Sequence, residues 1–270
     1  MKGTLKKCSV VIPVYKKNLQ EYEILSFRQC LKVLNRRDII LVTYQESDLS
    51  VYYTIAKECK KDISVQYFDS SYFVDISSYN KLMKSLQFYK SFRNYEYILI
   101  YQLDSFVFRD ELDYWCQLGY DYIGAPWFDD FSEKREDTDL WRVGNGGFSL
   151  RRISFFIKVL SWKLPLKKIK INSLLKFQEI KKILYVIGWR NNIYYFIKAN
   201  PINEDVFFTN FLYDTYLEPY LPPVETAIRF AFEKSPRYLY EQNQQKLPMG
   251  CHAFLKYEYD SFWKNFIKEE

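Results

Sequence analysis

Tyr97-Ile98-Leu99-Ile100-Tyr101-Gln102-Leu103-Asp104-Ser105-Phe106-Val107-Phe108 is an apolar, strand-like run that delivers a single carboxylate, Asp104, where its hydrophobicity is about to be interrupted. An ionised carboxylate inside such a run costs several kcal/mol unless it is paired or bound to a cation, so Asp104 calls for a partner. Alternation along a strand puts Gln102 and Asp104 on one side, where both can address one ligand. The plainer reading is an Asp that caps the turn at a strand end.

Upstream of this run, strands and helices alternate. Cys8-Ser9-Val10-Val11-Ile12-Pro13-Val14-Tyr15 is continuously apolar, as expected of a strand buried on both faces of a parallel sheet. Helical spacing of apolar residues follows from Leu19 to Leu34. Asp38–Tyr44 reads as a second strand, Ser50–Lys60 as a helix with Ser50 as its cap, and Ile63–Phe68 as a third strand. Ser77 or Ser78 is expected to cap a helix through Tyr89. This rhythm predicts an α/β fold with an open, mostly parallel, doubly wound sheet, Rossmann-like, with helices on both faces and its ligand site beyond the carboxyl ends of the strands. Neither G-x-G-x-x-G nor G-x-x-x-x-G-K-[ST] occurs, which disfavours a dinucleotide fold or a phosphate-loop NTPase.

Downstream, Asp110–Leu118 reads as an amphipathic helix, and Asp121–Trp127 as a short strand broken by Pro126. Asp129–Asp139 is charged and lacks aliphatic residues, and so reads as an exposed, mobile loop. Trp127 and Trp141 flank it, suited either to stacking on a sugar or to anchoring the loop. Val143-Gly144-Asn145-Gly146-Gly147-Phe148 is a tight turn or a place where backbone approaches a ligand closely. From Arg151 to Lys198 the chain is basic, with Glu179 its only acid. That stretch reads as a membrane-surface segment or as core helices with lysine-rich outer faces; nucleic-acid binding lacks any accompanying motif. Asn203-Glu204-Asp205-Val206-Phe207-Phe208 opens a helix expected to run to Tyr213, its acids answering the helix dipole or serving as a general base. His252, the only histidine, follows Gly250-Cys251 and is either structural or a metal ligand.

The composition sets the bounds. A chain of 270 residues with 48% hydrophobic and 27% charged residues fits one large domain or two small ones, and no linker divides it. Five scattered cysteines without C-x-x-C spacing suit a reducing compartment. The amino terminus is read as a first strand rather than a signal peptide, and no run is long enough to span a membrane. A net charge of +6 favours anionic partners.

In order, these pieces resemble the nucleotide-sugar glycosyltransferases of the GT-A fold. Val10–Tyr15 is similar to their first strand, and Gln102-Leu103-Asp104 falls where they carry a D-x-D signature. Gly144-Asn145-Gly146-Gly147-Phe148 resembles their glycine-rich sugar-facing segment, Asn203-Glu204-Asp205 their acidic helix start, and Gly250-Cys251-His252-Ala253 their late histidine. The likeness is greatest to a bacterial domain-of-unknown-function family of glycosyltransferase-like proteins. It implies one domain over 1–270, with a nucleotide-binding half at about 1–108 and an acceptor half at about 109–270. It also implies hexosyl transfer from a nucleoside-diphosphate sugar, UDP foremost, to a glycan or lipid-linked acceptor of a surface polysaccharide. The place it implies is the cytoplasm, with peripheral contact at the inner membrane face through 151–198 as an expectation.

The resemblance also supplies roles. Val14, Tyr15 and Asn80 would hold base and ribose, and Asn145, Gly146 and Gly147 would approach the donor sugar. Asp104 and His252 would ligate Mn2+ or Mg2+, with Gln102 a weaker ligand because its carbonyl is neutral where the family has a carboxylate. Asp205, or Glu204, would act as base. The alternatives are a noncatalytic nucleotide- or carbohydrate-binding protein of the same fold, or a basic peripheral membrane or nucleic-acid-binding protein.

Overall fold

The computed structural model describes residues 5–129, 131, 133–168 and 188–268. The centre of the basic segment, residues 169–187 with Glu179, lies outside the described residues, so its reading as a membrane-facing stretch goes no further there.

The elements alternate as the apolar runs require. β1 (Lys6–Pro13), α1 (Glu21–Val33), β2 (Asp38–Thr43), α2 (Ser50–Glu58) and β3 (Ile63–Tyr67) come first. They are followed by α3 (Ile76–Met83), α4 (Leu86–Ser91), β4 (Tyr95–Tyr101), β5 (Phe106–Val107) and α5 (Leu112–Gln117). The central sheet has the order β3-β2-β1-β4-β9-β6, where β6 is Tyr122–Ile123 and β9 is Phe148–Arg152. β1 pairs parallel with both β2 and β4, and β2 with β3; only β9 runs against its neighbours. The fold is mixed α/β with a mostly parallel six-stranded sheet, and β9 and β6 complete the sheet that β1–β4 begin.

Both faces of that sheet are covered at β1, β2 and β4, which is why those central strands are mainly apolar, while edge strand β3 stays partly exposed. Val10, Ile12, Leu41, Leu99 and Tyr101 pack against Phe27 and Leu31 of α1, Tyr52 of α2 and Trp115 of α5. Their neighbours Val11, Ile40, Val42, Ile98 and Ile100 face the other way, onto Phe88 and Tyr89 of α4 and Phe156 of α6 (Ile153–Leu160). A third cluster surrounds a small sheet in which β11 (Gly250–Cys251) lies between β5 and β10 (Ala231–Phe232). Among the described residues no helix is long and apolar enough to cross a membrane.

Several local expectations are corrected. The run 97–108 is two strands: β4 ends at Tyr101, a turn closed by Ser105 N–H donating to Gln102 O (2.9 Å) intervenes, and β5 starts at Phe106. Asp104 therefore sits in a turn, and strand alternation is not what aligns it with Gln102. Ser50 is the first residue of α2, and Asp48 accepts its N–H at 3.0 Å. Asp75, rather than Ser77 or Ser78, caps α3, and the helix expected through Tyr89 is interrupted where Ser85 caps α4. Residues 121–127 split between β6 and β7 (Pro126–Phe128), the latter paired in a hairpin with β8 (Leu140–Val143). Trp127 is buried, while Trp141 is exposed. Arg151, at the head of the basic segment, is wholly buried. α7 spans Ile193–Ala199, and the helix expected to run from Asn203 to Tyr213 is one short turn, α8 (Glu204–Val206), followed by a π-helical turn, Phe207–Phe211. α9 spans Val224–Phe230, and α10 (Pro236–Gln242) follows where the sequence reading placed no helix.

Candidate functional site

β2 and β3 lie on one side of β1 and β4 on the other, so the chain changes direction across the sheet between β1 and β4. In open α/β sheets the crevice outside the carboxyl ends of the strands at such a switch point is where ligands bind. Here that crevice is a cleft of about 640 Å³. Val14 and Tyr15 continue from the end of β1, and Gln102 and Asp104 from the end of β4. Because β9 is antiparallel, its beginning rather than its end meets the same rim, which brings in Asn145, Gly146 and Gly147. Asn80, Glu204, Asp205 and His252 complete the lining, so every residue to which the family resemblance gives a role lines one cavity, whereas Trp127 and Trp141 do not.

The small sheet explains how His252 arrives from the far end of the chain. Cys251 pairs with Phe106 across β11 and β5, so the residue that follows one strand meets the turn that precedes the other. His252 N–H donates to Phe232 O at 2.9 Å, and Phe254 N–H reaches Asp104 O at 3.3 Å. The imidazole Nε2 is then 3.3 Å from Asp104 Oδ1 and 3.2 Å from Gln102 Oε1. On the opposite edge, Nδ1 is 3.1 Å from Glu233 Oε1 and 3.0 Å from Asn145 Nδ2. Burial disfavours charge on both members of the Asp104–His252 pair. Their mutual attraction outweighs it, holding the carboxyl below its usual range and, with Glu233, pushing the imidazole up.

This donor set suits a hard divalent cation. A carboxylate oxygen, an imidazole nitrogen and an amide carbonyl oxygen converge at separations close to the roughly 3 Å between adjacent ligands of an octahedral ion. Glu233 is the acceptor that a ring ligating through Nε2 needs at Nδ1 to fix its tautomer. Among the described residues no group of three or more His, Cys, Asp or Glu could hold a metal, so a bound ion here takes further oxygens from elsewhere.

The glycines answer to protein packing. A β-carbon at Gly147 would fall inside the His252 ring, and one at Gly146 would press on Glu204 Oε1. Asn145 holds the turn between them and β8: it adopts a left-handed conformation, φ 53°, and its Oδ1 accepts the N–H groups of Gly147 and Phe148. Their sequence signature thus has a cause that needs no sugar.

Glu204 and Asp205 part company. Glu204 is buried against Arg151 in a two-pronged ion pair, and Arg151 also donates to Gly146 O at 3.2 Å and Tyr89 Oη at 3.1 Å. Among the described residues Asp205 makes only a local bond, accepting Val206 N–H at 2.7 Å. Burial first, and then the neighbouring Glu204 charge, raise its pKa to about 7. Asn80 also lines the cleft, but its amide is spent inside the protein: Oδ1 accepts Glu204 N–H at 2.7 Å, and Nδ2 donates to Ile76 O and Asn203 Oδ1. It caps α8 from a distance, which Asn203 does not do for itself. Glu233 and Arg151 are the site residues that the sequence reading missed.

Among solved structures, this chain is similar to mouse xyloside xylosyltransferase 1, with 10% identity and a TM-score of 0.50 over 91% of this chain and 97% of that one. At that identity the likeness is one of fold, and it agrees with the GT-A-like architecture expected. The bifunctional glycosyltransferase WbbM aligns with 96% of this chain over about half of its own length (49%), at 13% identity and a TM-score of 0.48. Core-mannan synthase A from Aspergillus fumigatus, in a Mn/GDP form, aligns with 58% of this chain and 62% of its own at 9% identity and a TM-score of 0.37. No curated protein matches the sequence. A family model described as protein of unknown function (DUF5672) matches residues 62–252, well over half of the sequence, and the chain belongs to that family.

Proposed function

We propose that this chain is a glycosyltransferase that takes a sugar from a nucleoside diphosphate, UDP foremost, and passes it to a glycan or lipid-linked acceptor in bacterial surface polysaccharide synthesis at the cytoplasmic side. The observation that carries this reading is the convergence of Asp104, His252 and the Gln102 carbonyl at the switch-point cleft. When bound by Asp104 and His252, Mn2+ or Mg2+ supplies the positive charge that stabilises a departing diphosphate. Asp104 and His252 would hold such an ion together with phosphate oxygens of the donor.

The remaining residues position and exchange protons. The backbone of Val14 and the ring of Tyr15 flank base and ribose at the end of β1. Asp205 orients the acceptor hydroxyl and takes its proton, a role suited to a carboxyl whose pKa lies near neutrality. Glu204 holds the wall: through Arg151 it ties the Gly146 carbonyl to α8. A noncatalytic binder of the same fold is the second reading, favoured by the neutral Gln102; nucleotide-sugar binding without turnover across a broad acceptor panel would mark it.

The test is calorimetric titration with UDP, GDP and CDP, each with and without Mn2+, on the wild type and on Asp104→Ala and His252→Ala. One nucleotide should bind in a metal-dependent way, and both variants should lose that binding while retaining their fold. If none of the three binds under either condition, the proposal fails.

A further inference from the structure

A second cavity, a groove of about 370 Å³, opens between β8 and the connector that follows the π-helical turn. Its centre is Arg142. The guanidinium is sandwiched between the rings of Trp141 and Tyr213, 4.7 and 4.0 Å from their centroids, and Asn210 Oδ1 accepts from Nη1 at 2.6 Å. Among the described residues no carboxylate forms an ion pair with it. A guanidinium held by two aromatic faces and one amide has already lost its rotamer freedom, so an anion that meets its remaining N–H groups does not bear that cost again. Exposed Tyr220 adds an aromatic face of the kind on which sugar rings stack. Glu218 also lines the groove, 4.0 Å from Lys168, which pairs more closely with Asp214 at 3.0 Å.

We propose that this groove binds the anionic group of an acidic saccharide, a uronate carboxylate or a sugar phosphate, and that the acceptor carries that group. The first half stands on the groove alone; the second rests on the glycosyltransferase reading. The link is covalent continuity. β8 runs from Arg142 directly into Asn145 and Gly146 of the cleft wall, and the π-helical turn carries Asn210 on from Asp205. The Arg142–Asn210 bond therefore ties together the two segments that carry the cleft's glycine turn and its candidate base.

The experiment is calorimetric titration of the whole chain with trigalacturonate and with glucose 1-phosphate, using maltotriose and glucose as neutral controls, at constant ionic strength. It is run on the wild type, Arg142→Gln, Glu218→Gln and Asp104→Ala. At least one acidic ligand should bind about tenfold more tightly than its neutral control, the margin expected of a charge-assisted fork. Arg142→Gln, which removes the guanidinium and its charge, should erase the preference, Glu218→Gln should enlarge it, and Asp104→Ala should leave it unchanged. A response confined to one ligand identifies carboxylate or phosphate as the group recognised. Equal binding of acidic and neutral ligands, no binding at millimolar concentration, or a preference that survives in Arg142→Gln would each overturn the proposal. Acidic saccharide binding in a protein that binds no nucleotide would leave the groove standing and remove the glycosyltransferase reading; nucleotide binding without the acidic preference would do the reverse.

Discussion

Arg151 and Glu204 meet through two parallel bonds, Nη1 to Oε2 at 3.0 Å and Nη2 to Oε1 at 2.8 Å, with side-chain exposures of 0% and 5%. Desolvating two charges is offset only while both remain, so removing one strands the other. Arg151→Met or Glu204→Gln should lower the unfolding free energy by about 3 to 5 kcal/mol. Because each single change leaves the other partner unmatched, Arg151→Met combined with Glu204→Gln should cost less than the sum of the two. Chemical denaturation of the three variants measures this, and simple additivity would show that the pair is not coupled.

Asn80 gives a prediction that separates two roles. Asn80→Ala leaves the buried Glu204 N–H without an acceptor, a loss of about 1 to 3 kcal/mol. Nucleotide affinity should change little, because the amide is already engaged within the protein. A variant with unchanged stability and lost nucleotide affinity would return Asn80 to the ribose.

Gly147→Ala places a methyl group where the imidazole lies. His252 must move away, and the expected cost is about 1 to 3 kcal/mol of overpacking together with loss of Mn2+-dependent nucleotide binding. A melting curve and the same calorimetric titration read both effects. Full metal dependence in this variant would show that the ring position is not required.

Asp205 sets a pH dependence whose sign can be worked out. Its folded pKa of about 7 exceeds the ordinary 3.8, so the folded state binds the proton more tightly. Its contribution to stability is fully present below about 4 and is lost as pH rises towards 7, whereas Asp205→Asn has no such loss. The stability advantage of the variant should therefore grow across that interval. Transfer should move the opposite way, rising in the wild type as Asp205 ionises near pH 7 and falling sharply in Asp205→Asn. A flat stability difference over pH 4 to 7 would contradict the burial argument.

What could be read from the chain alone followed from local pattern. Val10–Val14 and Tyr97–Tyr101 are apolar at consecutive positions because helices cover both sheet faces, and that condition is written in the residues themselves. Asp104, the glycine pair, Asp205 and His252 stood out as polar or backbone-exposing residues placed against apolar runs. Arg151 did not, since in sequence it looks like any other cation in a lysine-rich segment. Only Glu204, brought close by the fold, marks it as interior. Glu233 was hidden for the same reason. The errors near Asp75, Ser77 and Ser78 came from three competent caps within one turn. The unexpected helix α10 did carry a signal, Pro236 in its first turn.

The pairing of β11 with β5 also has a consequence in time. A ribosome releases Asp104 well before His252, and the imidazole takes its place only when the last strand slides in beside Phe106. A growing chain can complete the sheet order β3-β2-β1-β4 and bury much of its core while the cleft still lacks one wall. Such late, sequence-distant closure is slow compared with local folding. A chain cut short just before residue 252 would keep the strands of the central sheet and lack the imidazole that closes this wall of the cleft.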